Sequence, residues 1–155
     1  MKIYTLERRI TVPAAVAETF AFFEDPSNLA RITPPWLGFR ILSPEPVAMR
    51  YGAEIDYRIR VAGIPLVWKT LITEYEPPFL FTDQQVAGPY RYWRHRHEFH
   101  PSPQGTVVRD RVDYALPLGF IGRLAHWLYV RRKVQEIFEY RAEALIRIFN
   151  AAMAR

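Results

Sequence analysis

Hydrophobic and polar positions change their rhythm three times along this chain. Residues 3 to 12 read as a strand with apolar positions at Ile3, Leu6, Ile10 and Val12, closed by Pro13, which suits the first turn of a helix. Val16, Phe20 and Phe23 then share one helical face. Asp25-Pro26 breaks that pattern, and Ser27-Asn28 is placed to cap a second short helix before Pro34-Pro35. From about residue 38 to 117 the period drops to two. The spacing predicts strands near 38–44, 53–62, 65–76, 79–87, 90–100 and 106–116, with turns at Gly52, Gly63-Ile64-Pro65, Pro77-Pro78, Gly88-Pro89 and 102–105. After Pro117, apolar residues at Leu124, Leu128, Val134, Phe138, Leu145 and Phe149 predict one helix over about 120–150, roughly 45 Å long. Nothing else in the chain is large enough to cover a sheet of this size. The fold class expected is α+β, a curved seven-stranded antiparallel sheet wrapped around a long C-terminal helix, with two short helices after the first strand.

The last hairpin can be registered from side-chain chemistry. Pairing Phe99 with Val108 sets His97 opposite Asp110, His95 opposite Val112 and Trp93 opposite Tyr114. The other face then pairs Glu98 with Arg109 and Arg94 with Asp113, and only Arg96 meets a like charge, Arg111. A slip of one residue would bury the arginines and expose Trp93 and Phe99, so alternation makes the charged face the wet one. The inward face carries Trp93, His95, His97, Phe99, Asp110, Val112 and Tyr114, and neighbouring strands add Trp68, Thr70 and Ile72, then Phe81, Asp83 and Gln85. A dry core would not select a carboxylate, an amide and two imidazoles. Burying such groups unpaired costs several kcal/mol, so they must meet one another, water or a bound molecule. A ligand pocket meets that requirement.

Composition narrows the chemistry. The 155 residues suit one domain over 1–155, half of them are hydrophobic and 24% are charged, as in an ordinary globular chain. There is no cysteine, which excludes disulfides, thiolate metal sites and cysteine nucleophiles. MKIYTLERRITV places charges where a signal peptide needs an apolar core, so the cytoplasm is the expected location. The net charge of +5 is uneven: from Gly119 to Arg155 seven basic residues face three acidic ones, leaving +1 for the rest. Arg131, Arg132 and Lys133 form the basic run of that helix, a feature compatible with weak contact to an anionic membrane. Glu136, Glu139 and Glu143 interrupt it, and no nucleic-acid partner is expected.

The order of elements, with GIPLVW at 63–68, GPYRYWRHRHEF at 88–99, GTVVRDRVDYALPLG at 105–119 and IFEYR at 137–141, resembles the SRPBCC proteins of the START-like, helix-grip superfamily. Within it, the chain is similar to polyketide cyclase/dehydrase and lipid-transport members. The resemblance spans nearly the whole chain and implies a cavity between sheet and helix that holds a hydrophobic, ring-containing molecule such as a lipid, quinone or polyketide. It implies no cofactor and transfers no catalytic role to particular positions.

Three readings of His95, His97 and Asp110 stand side by side. They are a two-histidine, one-carboxylate metal set, a His97–Asp110 hydrogen bond supporting the pocket wall, or a direct ligand contact; of these the metal is the least expected. The histidine and carboxylate also have the chemistry for proton transfer in a cyclase or dehydratase, although no serine elbow or other nucleophile is present. Trp68, Trp93 and Tyr114 are either core or stacking surface. Asp83 and Gln85 are satisfied by neighbouring strands or water, or else by ligand, and Arg141 reads most simply as a surface or ion-paired side chain, the alternative being an inward arginine that clamps a carboxylate. Carriage of a hydrophobic molecule comes first, catalysis second, and an interaction module built on the basic helix third.

Overall fold

In the computed structural model, which describes residues 1–155, the strands are β1 (Tyr4–Val12), β2 (Arg40–Ile41), β3 (Glu54–Val61), β4 (Ile64–Glu76), β5 (Leu80–Ala87), β6 (Tyr92–Ser102) and β7 (Gly105–Ala115). They form one antiparallel sheet in the order β1-β7-β6-β5-β4-β3-β2. Only β1 and β7 are neighbours without being consecutive. The chain crosses from β1 to β2, at the opposite edge of the sheet, through α1 (Val16–Glu24) and two 3₁₀ turns, Pro26–Ile32 and Pro35–Leu37. A 35-residue helical stretch then grips the sheet: α2 (Gly119–Ala125), a π turn (His126–Val130) and α3 (Arg131–Met153). No helix is long and apolar enough to cross a membrane.

The β6–β7 register is the one side-chain chemistry demands, with Phe99 opposite Val108, His97 opposite Asp110 and Trp93 opposite Tyr114. Phe99 and Val108 have no exposed surface. On the wet face the partners differ in part. Arg109 reaches Glu98 at 3.6 Å as expected, but Arg94 turns to Glu74 on β4 at 3.0 Å, while Asp113 is held by Thr5 and Arg111. Glu74 also takes Arg96 at 2.8 Å, which relieves the Arg96–Arg111 juxtaposition. Gly105, which opens β7, sits at φ +131, and a Cβ there would lie 2.1 Å from the Val12 carbonyl oxygen. Glycine is therefore what lets the two strands close on each other.

Three expectations are corrected. The strand expected at 38–44 is reduced to Arg40–Ile41, because the backbone N–H groups of Leu42 and Ser43 both turn to the Asp56 carbonyl and the Ser43 hydroxyl accepts the Asp56 N–H, ending the ladder. The cap after α1 is Asp25, whose carboxylate accepts from the backbone N–H and hydroxyl of Ser27; two 3₁₀ turns follow where one short helix was expected. Finally, Leu124 and Leu128 do not lie on the gripping face. The face turned to the sheet runs through Gly122, His126, Val130, Val134 and Phe138, and the wider π turn keeps these four-residue steps in phase.

Candidate functional site

Two apolar clusters hold the helix on the sheet. One joins Val12, Phe20, Phe23, Ile32, Phe81, Phe99, Val108, Ala144, Leu145 and Phe149, and the other Val112, Tyr114, Val134 and Phe138. A cavity of about 230 Å³ is lined by members of both, and 23 of its 34 lining residues are hydrophobic, so its walls are mainly apolar. Of the residues expected in the pocket, Trp68, Thr70, Phe81, Asp83, Trp93, His95 and His97 line it. Gln85 does not: its amide donates to the Tyr90 carbonyl at 2.6 Å and accepts the Tyr90 N–H, bracing the β5–β6 turn. Tyr114 is also set back, its hydroxyl 2.8 Å from His126 Nε2, and Asp110 stands behind the histidines.

Asp83, His95, His97 and Asp110 form a tetrad on β5, β6 and β7, buried except for the partly exposed Asp83. Its bonds run diagonally across the ladder. Asp110 stands opposite His97 in register yet bonds His95 Nε2 at 2.8 Å, and Asp83 stands opposite His95 yet bonds His97 Nε2 at 2.8 Å. Sheet twist brings such diagonal neighbours within reach of long side chains. The expected His97–Asp110 hydrogen bond is therefore replaced by a looser contact, Nδ1 lying 3.0 Å from Asp110 Oδ1 at ion-pair distance without hydrogen-bond direction.

Electrostatics divides the two imidazoles. Burial and the neighbouring His97 push His95 down to about 4, against the pull of Asp110 and Asp83, so it is neutral near pH 7. Burial also opposes charge on His97, but its contacts with Asp110 and Asp83 outweigh burial and raise its pKa above the ordinary imidazole value. Burial would raise Asp110 and Asp83 as well. The charge of Arg141 and the histidines holds Asp110 well below the usual carboxylate range, and His97, His95 and Arg141 lower Asp83.

Arg141 corrects the surface or ion-paired reading. It is only 8% exposed, lines the cavity, and lies over the rings of Phe23 and Phe138 at 5.3 and 5.8 Å. It makes no ion pair, and its Nε has no hydrogen-bond partner. The indole N–H of Trp68, also in the cavity wall, is unpartnered too. Tyr57, which sequence reasoning missed, stacks on Trp68 at 5.8 Å, and burial followed by the charge of Asp83 raises its hydroxyl well above its usual value. Alternation with Ile55 and Ile59 on β3 was the signal that could have found it. Asp83, His95 and His97 present ligand-type atoms within 4.8 Å of one another, a metal-capable set that differs from the expected one by exchanging Asp110 for Asp83. A cation there would compete with the His97–Asp83 bond and with the charge of Arg141.

Residues 12–138 match the family described as polyketide cyclase / dehydrase and lipid transport. The chain belongs to that family. No curated protein sequence matches it. Among solved structures, the chain is similar to the di-domain ARO/CYC StfQ from the steffimycin biosynthetic pathway, with TM-score 0.75 and 13% identity over 99% of this chain and 52% of that one. It is also similar to TTHA0849 from Thermus thermophilus, at TM-score 0.68 and 18% identity over 97% and 99% of the two chains. The major latex-like protein 151 of Panax ginseng aligns at TM-score 0.67 and 12% identity over 95% and 97%. These likenesses are of fold. Family membership is compatible with either hydrophobic-ligand binding or cyclase-like chemistry.

Proposed function

We propose that the chain binds a mostly apolar, ring-bearing molecule carrying a neutral oxygen acceptor, and holds that oxygen against Arg141. The observation that carries this reading is a guanidinium buried in an apolar cavity wall without a hydrogen-bond partner. An unsatisfied buried donor is costly, and a ligand carbonyl would relieve it. The surrounding charge supports a neutral oxygen: Asp83 and Asp110, both held below the usual carboxylate range, already stand beside Arg141 and the two imidazoles. A carboxylate guest would add a third negative charge to that group. The aromatic walls of Trp68, Trp93 and Tyr57 suit a planar ring.

The test compares a naphthoquinone with naphthalene, titrated into the native chain and Arg141→Leu. The quinone should bind the native chain more tightly and lose about 10- to 100-fold in the variant, in keeping with a hydrogen bond from a charged donor, while naphthalene changes little. Failure of both probes to bind or to raise the melting temperature would overturn the carrier reading. A second reading, proton transfer in a cyclisation or dehydration, is favoured by one observation: His97, in contact with two carboxylates that raise its pKa, faces the cavity. Turnover of an aromatic polyketide substrate that disappears in His97→Gln, with ligand affinity retained, would favour catalysis over carriage.

A further inference from the structure

The first turns of the gripping helix turn an apolar face outward. Phe120, Ile121, Leu124, Trp127 and Leu128 are all at least half exposed, Trp127 at 73%, while only Gly122 and His126 of this stretch are buried. Gly122 sits so close to the Pro117 carbonyl that a Cβ would meet it at 2.1 Å, and His126 stacks on Tyr4 at 3.5 Å and bonds Tyr114. These two anchors fix the inner side of the helix and leave the outer side bare. A contiguous apolar face of this kind marks an interaction surface.

Its charge surroundings identify the partner. No Asp or Glu occurs from residue 114 to 135, whereas Arg123, Arg131, Arg132 and Lys133 do. Glu136 pairs with Arg132 and Lys133 at 2.9 and 3.0 Å, but Arg123 and Arg131 have no acidic partner. On one flank, Lys2, Arg91 and Arg123 line a second pocket with no acidic residue in its wall. On the other, Tyr129 and Lys133 belong to the cavity lining, and Lys133 lies 5.0 Å over the exposed ring of Trp36, also a cavity residue. Arg60, Val61 and Ala62, exposed residues that also line the cavity, lie in a second acid-free stretch, residues 57–73.

We propose that the outward face of α2 and the π turn docks on an anionic lipid bilayer, setting the mouth of the cavity against the membrane. Apolar side chains with a tryptophan enter the interface, and the flanking arginines and lysine meet lipid headgroups. The face is an amphipathic surface element, and its function does not depend on which molecule occupies the cavity.

Flotation of the full chain with phosphatidylcholine vesicles, with and without phosphatidylserine, tests this. The chain should float with the phosphatidylserine vesicles, remain behind with phosphatidylcholine alone, and be released by high salt. Leu124→Asp/Trp127→Asp should lower the partition at least tenfold, as should Arg123→Glu/Arg131→Glu, with helical content and melting temperature retained because these side chains are exposed. Equal flotation of native chain and variants, or no flotation with either vesicle, would overturn the proposal. So would a concentration-dependent dimer in solution that Leu124→Asp/Trp127→Asp converts to monomer, which would make the face a self-association surface.

Discussion

Asp110 and Arg109 are neighbours in sequence with opposite fates. Asp110 is 5% exposed and holds a buried imidazole, so Asp110→Ala should cost about 1–3 kcal/mol; Arg109, on the wet face against Glu7 and Glu98, should cost under about 1 kcal/mol as alanine. Urea denaturation of the two variants compares them directly, and equal small losses would contradict the buried role of Asp110. His95 adds a pH dependence. Its folded pKa of about 4 lies below its unfolded value near 6.5, so between these the unfolded chain binds more protons and stability rises with pH. The stabilisation is full above about 6.5 and is lost as pH falls through about 4, about 3 kcal/mol in all. His97, with a raised pKa, acts in the opposite sense above about 6.5, its contribution being lost as pH rises through its folded value. Denaturation curves of native chain and His95→Gln from pH 4 to 7 should differ in slope, the variant being flatter. The inward placing of these residues was legible from period-two alternation alone. The diagonal bonding was not, since it depends on sheet twist. Arg141 was legible in principle: it falls on the stripe Val134, Phe138, Leu145 and Phe149, where its charge argued for the surface and its phase for the pocket.

Secondary structure followed the sequence closely wherever apolar residues kept one period against a single partner. The β6–β7 hairpin is the clearest case, because a slip of one residue would expose aromatics and bury arginines. The gripping helix departs from its pattern because two apolar faces coexist in it. Leu124 and Leu128 belong to an outward face, and the expected stripe already held a six-residue step from Leu128 to Val134 that no α-helix keeps in phase. The true inner face is recruited by a glycine and a histidine, residues that a hydrophobicity pattern does not count. That histidine makes the element testable. Tyr114→Phe removes the partner of the buried His126 ring, whose pKa burial lowers, and should cost roughly 1–2 kcal/mol. Hydrogen exchange should show faster opening confined to residues 118–130, with α3 after Val134 unchanged; uniform acceleration would mean that the anchor serves the whole fold.

The molecule as a whole leaves room at its centre between sheet and helix. Ile59, buried in the cavity wall, offers a means of filling that room. Ile59→Trp should abolish binding of a polarity-sensitive dye and change stability by no more than about 1–3 kcal/mol, the usual range for overpacking, because the indole has space to enter. Retained dye binding would place the probe elsewhere. The tetrad beneath that room has a further consequence for calorimetry. Asp83 and Asp110 are held ionised beside Arg141 and a His97 whose pKa is raised, while burial keeps His95 as an unprotonated base within the same group. A neutral guest leaves this arrangement untouched, so its binding heat should be the same in buffers of different ionisation enthalpy. A carboxylate guest should draw a proton onto His95, making its apparent heat vary with the buffer; the solvent would thus report the charge of the cargo.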